Sequence, residues 1–373
     1  MKKVLLSIMM ATALTACGEK AETPKENTKP VVKIGVTMPL TGDAAEAGLA
    51  AKAGLEMVLD DLSQKGLKYD YRLVFEDNQM NAMKTATNIN KFIFSDKVDA
   101  IFSMWNMMSN VAASMSAEHD VFSFACSYGR TANTGKYGFN MQNTYEDEAE
   151  LLVNELKKRN IKTVAMFVDN GSIAEQYKIV EDYIKNMSDI EIVFKEYFNP
   201  AEKDYKAAII KASANNPDLY MISGYPPSPY LFLKQLKEIT GRNDNVTAID
   251  AIAEIDEAHR DIANNLWYID SNQNGLDAFQ KRLMERKNIQ SQSCVGNVAS
   301  NLEIFISAVE NATITEGYDK PTKESIRQWI FDNIKDYETA SGKANVLEDG
   351  FIAVKPSVRI IKNGKSVAIE ENK

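Results

Sequence analysis

The sequence predicts an α/β fold built from two doubly wound units in tandem. Three observations carry that prediction. From Val31 to Ile249, β-branched and aromatic runs alternate with segments whose apolar residues recur at helical spacing. The alternation breaks and restarts after Glu146. The chain has 373 residues, 45% hydrophobic and 25% charged. That is enough for about two domains of roughly 150 residues each, and it excludes a disordered or fibrous chain.

In order, Val31 to Val36 reads as a strand ending in the turn Met38-Pro39-Leu40-Thr41-Gly42, and Leu55, Val58, Leu59 and Leu62 follow at helical spacing. Tyr71 to Phe75 is the next strand, ending at Glu76-Asp77, and Ala86, Ile89, Phe92 and Ile93 mark a helix. Strands at Ala100 to Ser103 and Val121 to Ala125 flank a helix that starts near Asn106. The second unit has strands at Thr163 to Val168, Ile190 to Tyr197, Leu219 to Ser223 and Asn245 to Ile249. Helices fall between them, through Tyr177 and Val180, from Asp204, and from Tyr230 to Ile239. Beyond Ser271 the pattern is mostly helical, at 277–287, 296–310 and 322–335. Val354 to Ile369 reads as two strands around the turn Lys362-Asn363-Gly364.

The formal net charge of −9 and the lack of a basic stripe argue against a nucleic-acid partner. The chain has two histidines, His119 and His259, which leaves little for a His-rich zinc site; no metal or cofactor is expected. Met104, Trp105, Met107, Met108 and Met115 crowd one stretch. Without supporting His or Cys, they read as soft apolar packing rather than a thioether copper site.

Lys2 and Lys3 precede the apolar run Val4 to Ala16, which is too short to span a bilayer and reads as a secretory signal. It ends in Leu14-Thr15-Ala16-Cys17, which resembles the lipobox of bacterial lipoproteins. That resemblance implies cleavage after residue 16, lipidation of Cys17 and a membrane anchor outside the cytoplasm. Residues 18–30 are polar and read as a flexible tether. Cys126 and Cys294 remain, either as a disulfide or as two buried thiols.

The opening Val32-Lys33-Ile34-Gly35-Val36-Thr37-Met38-Pro39-Leu40-Thr41-Gly42, with a helix start at Gly48, resembles the leucine/isoleucine/valine-binding-protein-like periplasmic binding proteins. Glu76-Asp77-Asn78, Ile101 to Asn110, Phe122 to Arg130 and Tyr220 to Tyr225 continue the resemblance in order over nearly all of residues 31–369. It implies two Rossmann-like lobes joined by three crossovers, the type I periplasmic binding protein fold, closing on a small solute for an ABC importer. The lobes are expected at 31–146 plus 272–350 and at 147–271 plus 351–373, in a monomer that associates with membrane permease subunits.

The resemblance also implies site residues. Asn106 stands where the family has a carboxylate-holding serine, with Trp105 beside it and Ser109 further along; Asn106 could equally be a helix N-cap. Ser127 matches a carbonyl that holds an ammonium group, next to Tyr128. The matching threonine falls on Gly129, so its hydroxyl is missing, and Arg130 reads as solvent-facing. Tyr225 matches a stacking aromatic and Asp250 an ammonium partner. Ala47 and Ile173 replace two family aromatics, which implies a roomier pocket. The alternatives are a ligand sensor for a membrane receptor and, third, a hydrolase using Cys126 or a serine. No Gly-x-Ser-x-Gly elbow occurs, and His119 falls at the far end of its strand, so no catalytic residue is expected.

Overall fold

The computed structural model describes residues 29–369 except 43, 129, 130, 172, 257, 272–275 and 292. The signal, Cys17 and the tether up to residue 28 lie outside the described residues.

The first half runs β1 (Val31–Met38), α1 (Ala45–Ser63), β2 (Asp70–Asp77), α2 (Ala82–Asn90), β3 (Ala100–Met104), α3 (Asn106–Glu118), β4 (Phe122–Cys126) and β5 (Gly138–Gln142). The second runs α4 (Tyr145–Lys158), β6 (Thr163–Asp169), α5 (Ala174–Met187), β7 (Glu191–Phe198), α6 (Lys206–Ser213), β8 (Leu219–Ile222), α7 (Ser228–Thr240), β9 (Val246–Thr247) and β10 (Trp267–Asp270). The rest is α8 (Asp277–Lys287), α9 (Val295–Asn311), α10 (Lys323–Asn333), β11 (Tyr337–Thr339), β12 (Gly342–Val346), β13 (Phe351–Val354), β14 (Ser357–Lys362) and β15 (Lys365–Ala368).

These strands form two lobes. One sheet has the order β11-β12-β13-β5-β4-β3-β1-β2, parallel from β13 to β2. The other is the parallel sheet β7-β6-β8-β9. An Ile249–Ile269 bridge joins it to β10, and β10 pairs antiparallel with β14, which pairs with β15. The chain crosses between lobes after β5, after β10 and after β13. The last crossover differs from expectation. Phe351 to Val354, assigned to the second lobe from sequence, pairs with β5 in the first-lobe sheet.

The first core is aromatic: Phe102, Phe124 and Phe139 stack at 5.0–5.2 Å between centroids, with Phe305 of α9 tilted against Phe124 and edge-on to Phe102. Its close packing needs glycine at one point: a Cβ on Gly48 of α1 would lie 1.7 Å from the Pro39 carbonyl oxygen. The turn before it is fixed by Asp77, which accepts the Leu40 N–H at 2.8 Å and the Thr41 hydroxyl. Burial pushes the Asp77 carboxyl up, but hydrogen bonds from Thr41, Leu40 and Gln79 outweigh it and bring it down to about 2.

Candidate functional site

Both parallel sheets share one winding. Each starts with a central strand (β1, β6), adds the second strand on one side (β2, β7), then reverses and adds the third on the other (β3, β8). Doubly wound sheets bind ligands at this reversal, beyond the carboxyl ends of the strands. The expected site therefore lies between the loops after β1, β3 and β4 and those after β6, β8 and β9.

On the first lobe, α3 begins one residue after β3. The intervening Trp105 has φ +67° and ψ 149°, a region that side chains rarely adopt. Its N–H donates to the Cys126 carbonyl at 2.8 Å, and its carbonyl accepts the Ser109 N–H at 2.9 Å. No side chain caps this helix. Its first-turn N–H groups and positive dipole end thus remain available to an anion.

Asn106 is the first helical residue, not the cap. Its Oδ1 accepts the Tyr128 N–H at 2.7 Å and the Ser127 hydroxyl at 3.0 Å, tying the helix start to the loop after β4. Asn140 braces that loop from β5: its Oδ1 accepts the Ser127 N–H at 3.0 Å and its Nδ2 donates to the Ser127 carbonyl at 2.9 Å. The carbonyl expected to face an ammonium group therefore already carries one hydrogen bond. Ser109 is fully buried and its Oγ accepts the Ser103 hydroxyl at 3.1 Å, so its side chain is turned into the lobe. Gly129 and Arg130 lie outside the described residues. Cys126 and Cys294 form a disulfide, with Cα atoms 5.8 Å apart, that joins the end of β4 to the residue preceding α9. Met104 and Met108 are buried, whereas Met107 is 52% exposed.

On the second lobe, Asp250 has φ +56°. Its Oδ1 accepts the Ser271 N–H at 2.9 Å and its Oδ2 the Ser271 hydroxyl at 2.7 Å. The lobes meet here: the Tyr128 hydroxyl points at Asp250 Oδ2 from 3.5 Å, and the Tyr128 ring stacks on Tyr145 of α4 at 6.3 Å. Tyr225 sits 42% exposed in the loop after β8, just ahead of the cis Pro226-Pro227 bond. It lies near enough to Tyr128 to add, after burial and Asp250, to the rise of the Tyr128 hydroxyl. The structure therefore brings Trp105, Asn106, Ser127, Tyr128, Tyr225 and Asp250 to one region, and leaves Ser109 behind it.

Two further carboxyls escaped the sequence reading. Glu148 lies one helical turn after Tyr145 on the same face of α4 and is fully buried. Gln176 Nε2 donates to its Oε2 at 2.6 Å. Burial and then the Asp250 charge push the Glu148 carboxyl well above the usual range. Glu254, in the turn after Asp250, is pushed up to about 7 by burial and then by Asp250. Both groups, with Asp250, also raise the Tyr128 hydroxyl, after burial itself. The i, i+3 spacing of Tyr145 and Glu148 was the available signal, but it gains meaning only once Tyr145 is known to stack on Tyr128. Among the described residues, no group of three His, Cys, Asp or Glu side chains is placed to hold a metal ion.

The arrangement can hold a small polar solute: an uncapped helix end on one side, carboxyls and an aromatic on the other. Comparison with known proteins gives the family and the fold. A sequence model of the periplasmic binding protein family matches residues 31–357. The Leu/Ile/Val-binding protein BraC3 of Rhizobium johnstonii is 23% identical over 354 residues, covering 91% of this chain and 94% of its own. A leucine binding protein, LivK, from Thermotoga maritima superposes with a TM-score of 0.70 at 20% identity, over 91% of this chain and 98% of that one. LivJ from Streptococcus pneumoniae, solved in complex with isoleucine, gives 0.72 at 18% identity, over 91% and 98%. A solute binding protein from Rhodopseudomonas palustris, solved with benzoate, gives 0.67 at 15% identity, over 91% and 95%. The chain belongs to the periplasmic binding protein family and is a solute-binding protein, not an enzyme, of the Leu/Ile/Val-binding-protein-like type.

Proposed function

We propose that this protein is the extracytoplasmic, lipid-anchored substrate-binding subunit of an ABC importer, and that it closes on a small solute carrying a carboxylate and an ammonium group. The observation that carries this reading is the juxtaposition across the cleft of the uncapped start of α3 and Asp250, linked by Tyr128. The helix end suits a carboxylate, and Asp250 suits a cation. Asn106 orients the loop that carries Tyr128, Trp105 holds the helix start, and Tyr225 packs on the solute's apolar part. The isoleucine and benzoate of the two solved relatives each carry a carboxylate, which supports that end of the site. Cys17 is the anchor in this reading, and the first 30 residues serve as export signal and tether. Among the described residues no helix is long and apolar enough to cross a membrane. In this reading the partners are membrane permease subunits.

A thermal-shift screen against amino acids, their amides and simple carboxylates tests the reading. A solute at a hundred times its dissociation constant adds about 2.7 kcal/mol of stability. A rise with amino acids supports a paired carboxylate and ammonium site. A rise restricted to carboxylates without an amino group removes the role given to Asp250.

A further inference from the structure

The second-lobe wall of the cleft holds more acid than one α-ammonium group needs. Asp250 already serves that purpose in the proposed reading. Glu148 reaches the same place from α4: Tyr145, one turn before it, stacks on Tyr128, and Tyr128 in turn points at Asp250. Glu254 approaches from the turn after Asp250.

A cluster of acids alone does not define a site, but Glu148 carries a second feature. It is fully buried, Gln176 satisfies only its Oε2, and its Oε1 has no hydrogen-bond partner among the described residues. Asn143, two residues before α4, is 3% exposed, and neither its amide oxygen nor its amide nitrogen has a partner among the described residues. Buried polar atoms are rarely left without partners unless something else fills the role. An ionised carboxylate oxygen only accepts, so the partner that would let Glu148 ionise is a donor, best a cationic one. Gln176 supplies a neutral donor, not a counter-charge. The nearby buried arginine, Arg359, is committed elsewhere: it pairs with Asp270 at 3.4 Å and with Asp277 at 2.6 Å.

The geometry points to a solute with two cationic groups and one carboxylate, that is, an amino acid with a basic side chain. Its carboxylate lies at the start of α3 and its α-ammonium at Asp250. Its side-chain cation is held by Glu148, with Glu254 as a further neighbour. Ionised Glu148 in a closed cleft is stable only beside such a cation, so binding is linked to loss of a proton from this pair. This inference rests on the proposed solute-binding reading and narrows it.

Isothermal titration of the purified protein with arginine, citrulline, lysine and leucine at pH 7.5 tests it. Citrulline keeps the shape of arginine without its charge. Arginine or lysine is expected to bind at least tenfold tighter than citrulline and leucine, with buffer-dependent heats that report proton release. The Glu148→Gln variant is expected to lose that preference while still binding leucine or citrulline. Should Glu148→Gln not fold, as judged by its circular dichroism melt, Glu254→Gln is expected to weaken arginine more than citrulline. Leucine or citrulline binding as tightly as the cations overturns the basic-solute inference and leaves the solute-binding reading intact. Retention of the cation preference in Glu148→Gln overturns the role of Glu148. Silence from all four solutes in a cooperatively melting protein overturns the amino-acid reading beneath it.

Discussion

Among the described residues, the first lobe meets the cleft with neutral amides and backbone N–H groups, and the second meets it with carboxyls. On the first lobe, Asn106 and Asn140 bond Ser127 and Tyr128 at 2.7–3.0 Å, and the Cys126–Cys294 disulfide lies at the end of the same strand. Every bond there fixes geometry without placing a charge. On the second lobe, the Asp250 charge raises both the Glu148 and the Glu254 carboxyl, in each case after burial. In the proposed reading, one wall orients the solute, and the other selects it by charge and responds to pH. The difference assigns separate consequences to mutations on the two sides.

The largest effect should come from the covalent brace on the first lobe. The disulfide joins residues 168 apart in sequence. Replacing both cysteines with alanine is expected to cost about 2–4 kcal/mol. Thermal melts of the double variant and of reduced wild-type protein check this, and the lost stability should belong to the first lobe. Next, Asn140→Ala leaves the buried N–H and carbonyl of Ser127 without partners. That is expected to cost about 1–3 kcal/mol and to weaken every solute alike, because it removes orientation rather than charge. Urea denaturation and titration of the variant measure the two effects separately.

On the second lobe the expected signature is pH dependence. The Glu254 carboxyl rises from 4.5 to about 7, with Asp250 the charged group that bears on it after burial. Its folded-state value lies above the unfolded one, so the folded protein holds an extra proton between those limits. Stability therefore falls as pH rises through that window and levels off above it. Glu254→Gln should remove this group's share of the fall, making the variant more stable than wild type at pH 8 by up to about 3 kcal/mol while matching it at pH 4. Melting curves across that range decide it. The smallest effect on stability is expected at Tyr225, which is already 42% exposed. Tyr225→Ala should leave stability within about 0.5 kcal/mol. It should lower solute affinity by roughly 3–10-fold if its ring packs on the solute.

The parts legible in the sequence were those with strong local patterns. Val31 to Val36 and Leu219 to Ser223 are apolar runs bounded by turns, and both are strands. The helix expected at 277–287 has those bounds. The missed elements carry polar residues where a core strand usually has none. β5 reads Gly-Phe-Asn-Met-Gln, yet every residue in it is buried, because Asn140 is satisfied by Ser127 across the sheet. β10 was missed because its pairing partner, β14, lies ninety residues away in sequence. Asn245 to Ile249 was read as a full strand, but ladder pairing covers only Val246–Thr247, with Ile249 in an isolated bridge.

The candidate site shows the same division. Asn106, Tyr128 and Asp250 could be named through the family resemblance, which maps onto loops that follow strands. The role of Asn106 as a tie between loops, the inward turn of Ser109 and the presence of Glu148 depend on contacts between segments far apart in sequence. No local pattern encodes those contacts.

The most direct test of the account is a crystal structure of the purified protein with whichever amino acid gives the largest thermal shift. The account predicts the solute between the lobes, its carboxylate on the N–H groups at the start of α3 and its ammonium group within hydrogen-bond distance of Asp250. A solute bound anywhere else, or bound with its ammonium group turned toward α3, would contradict it.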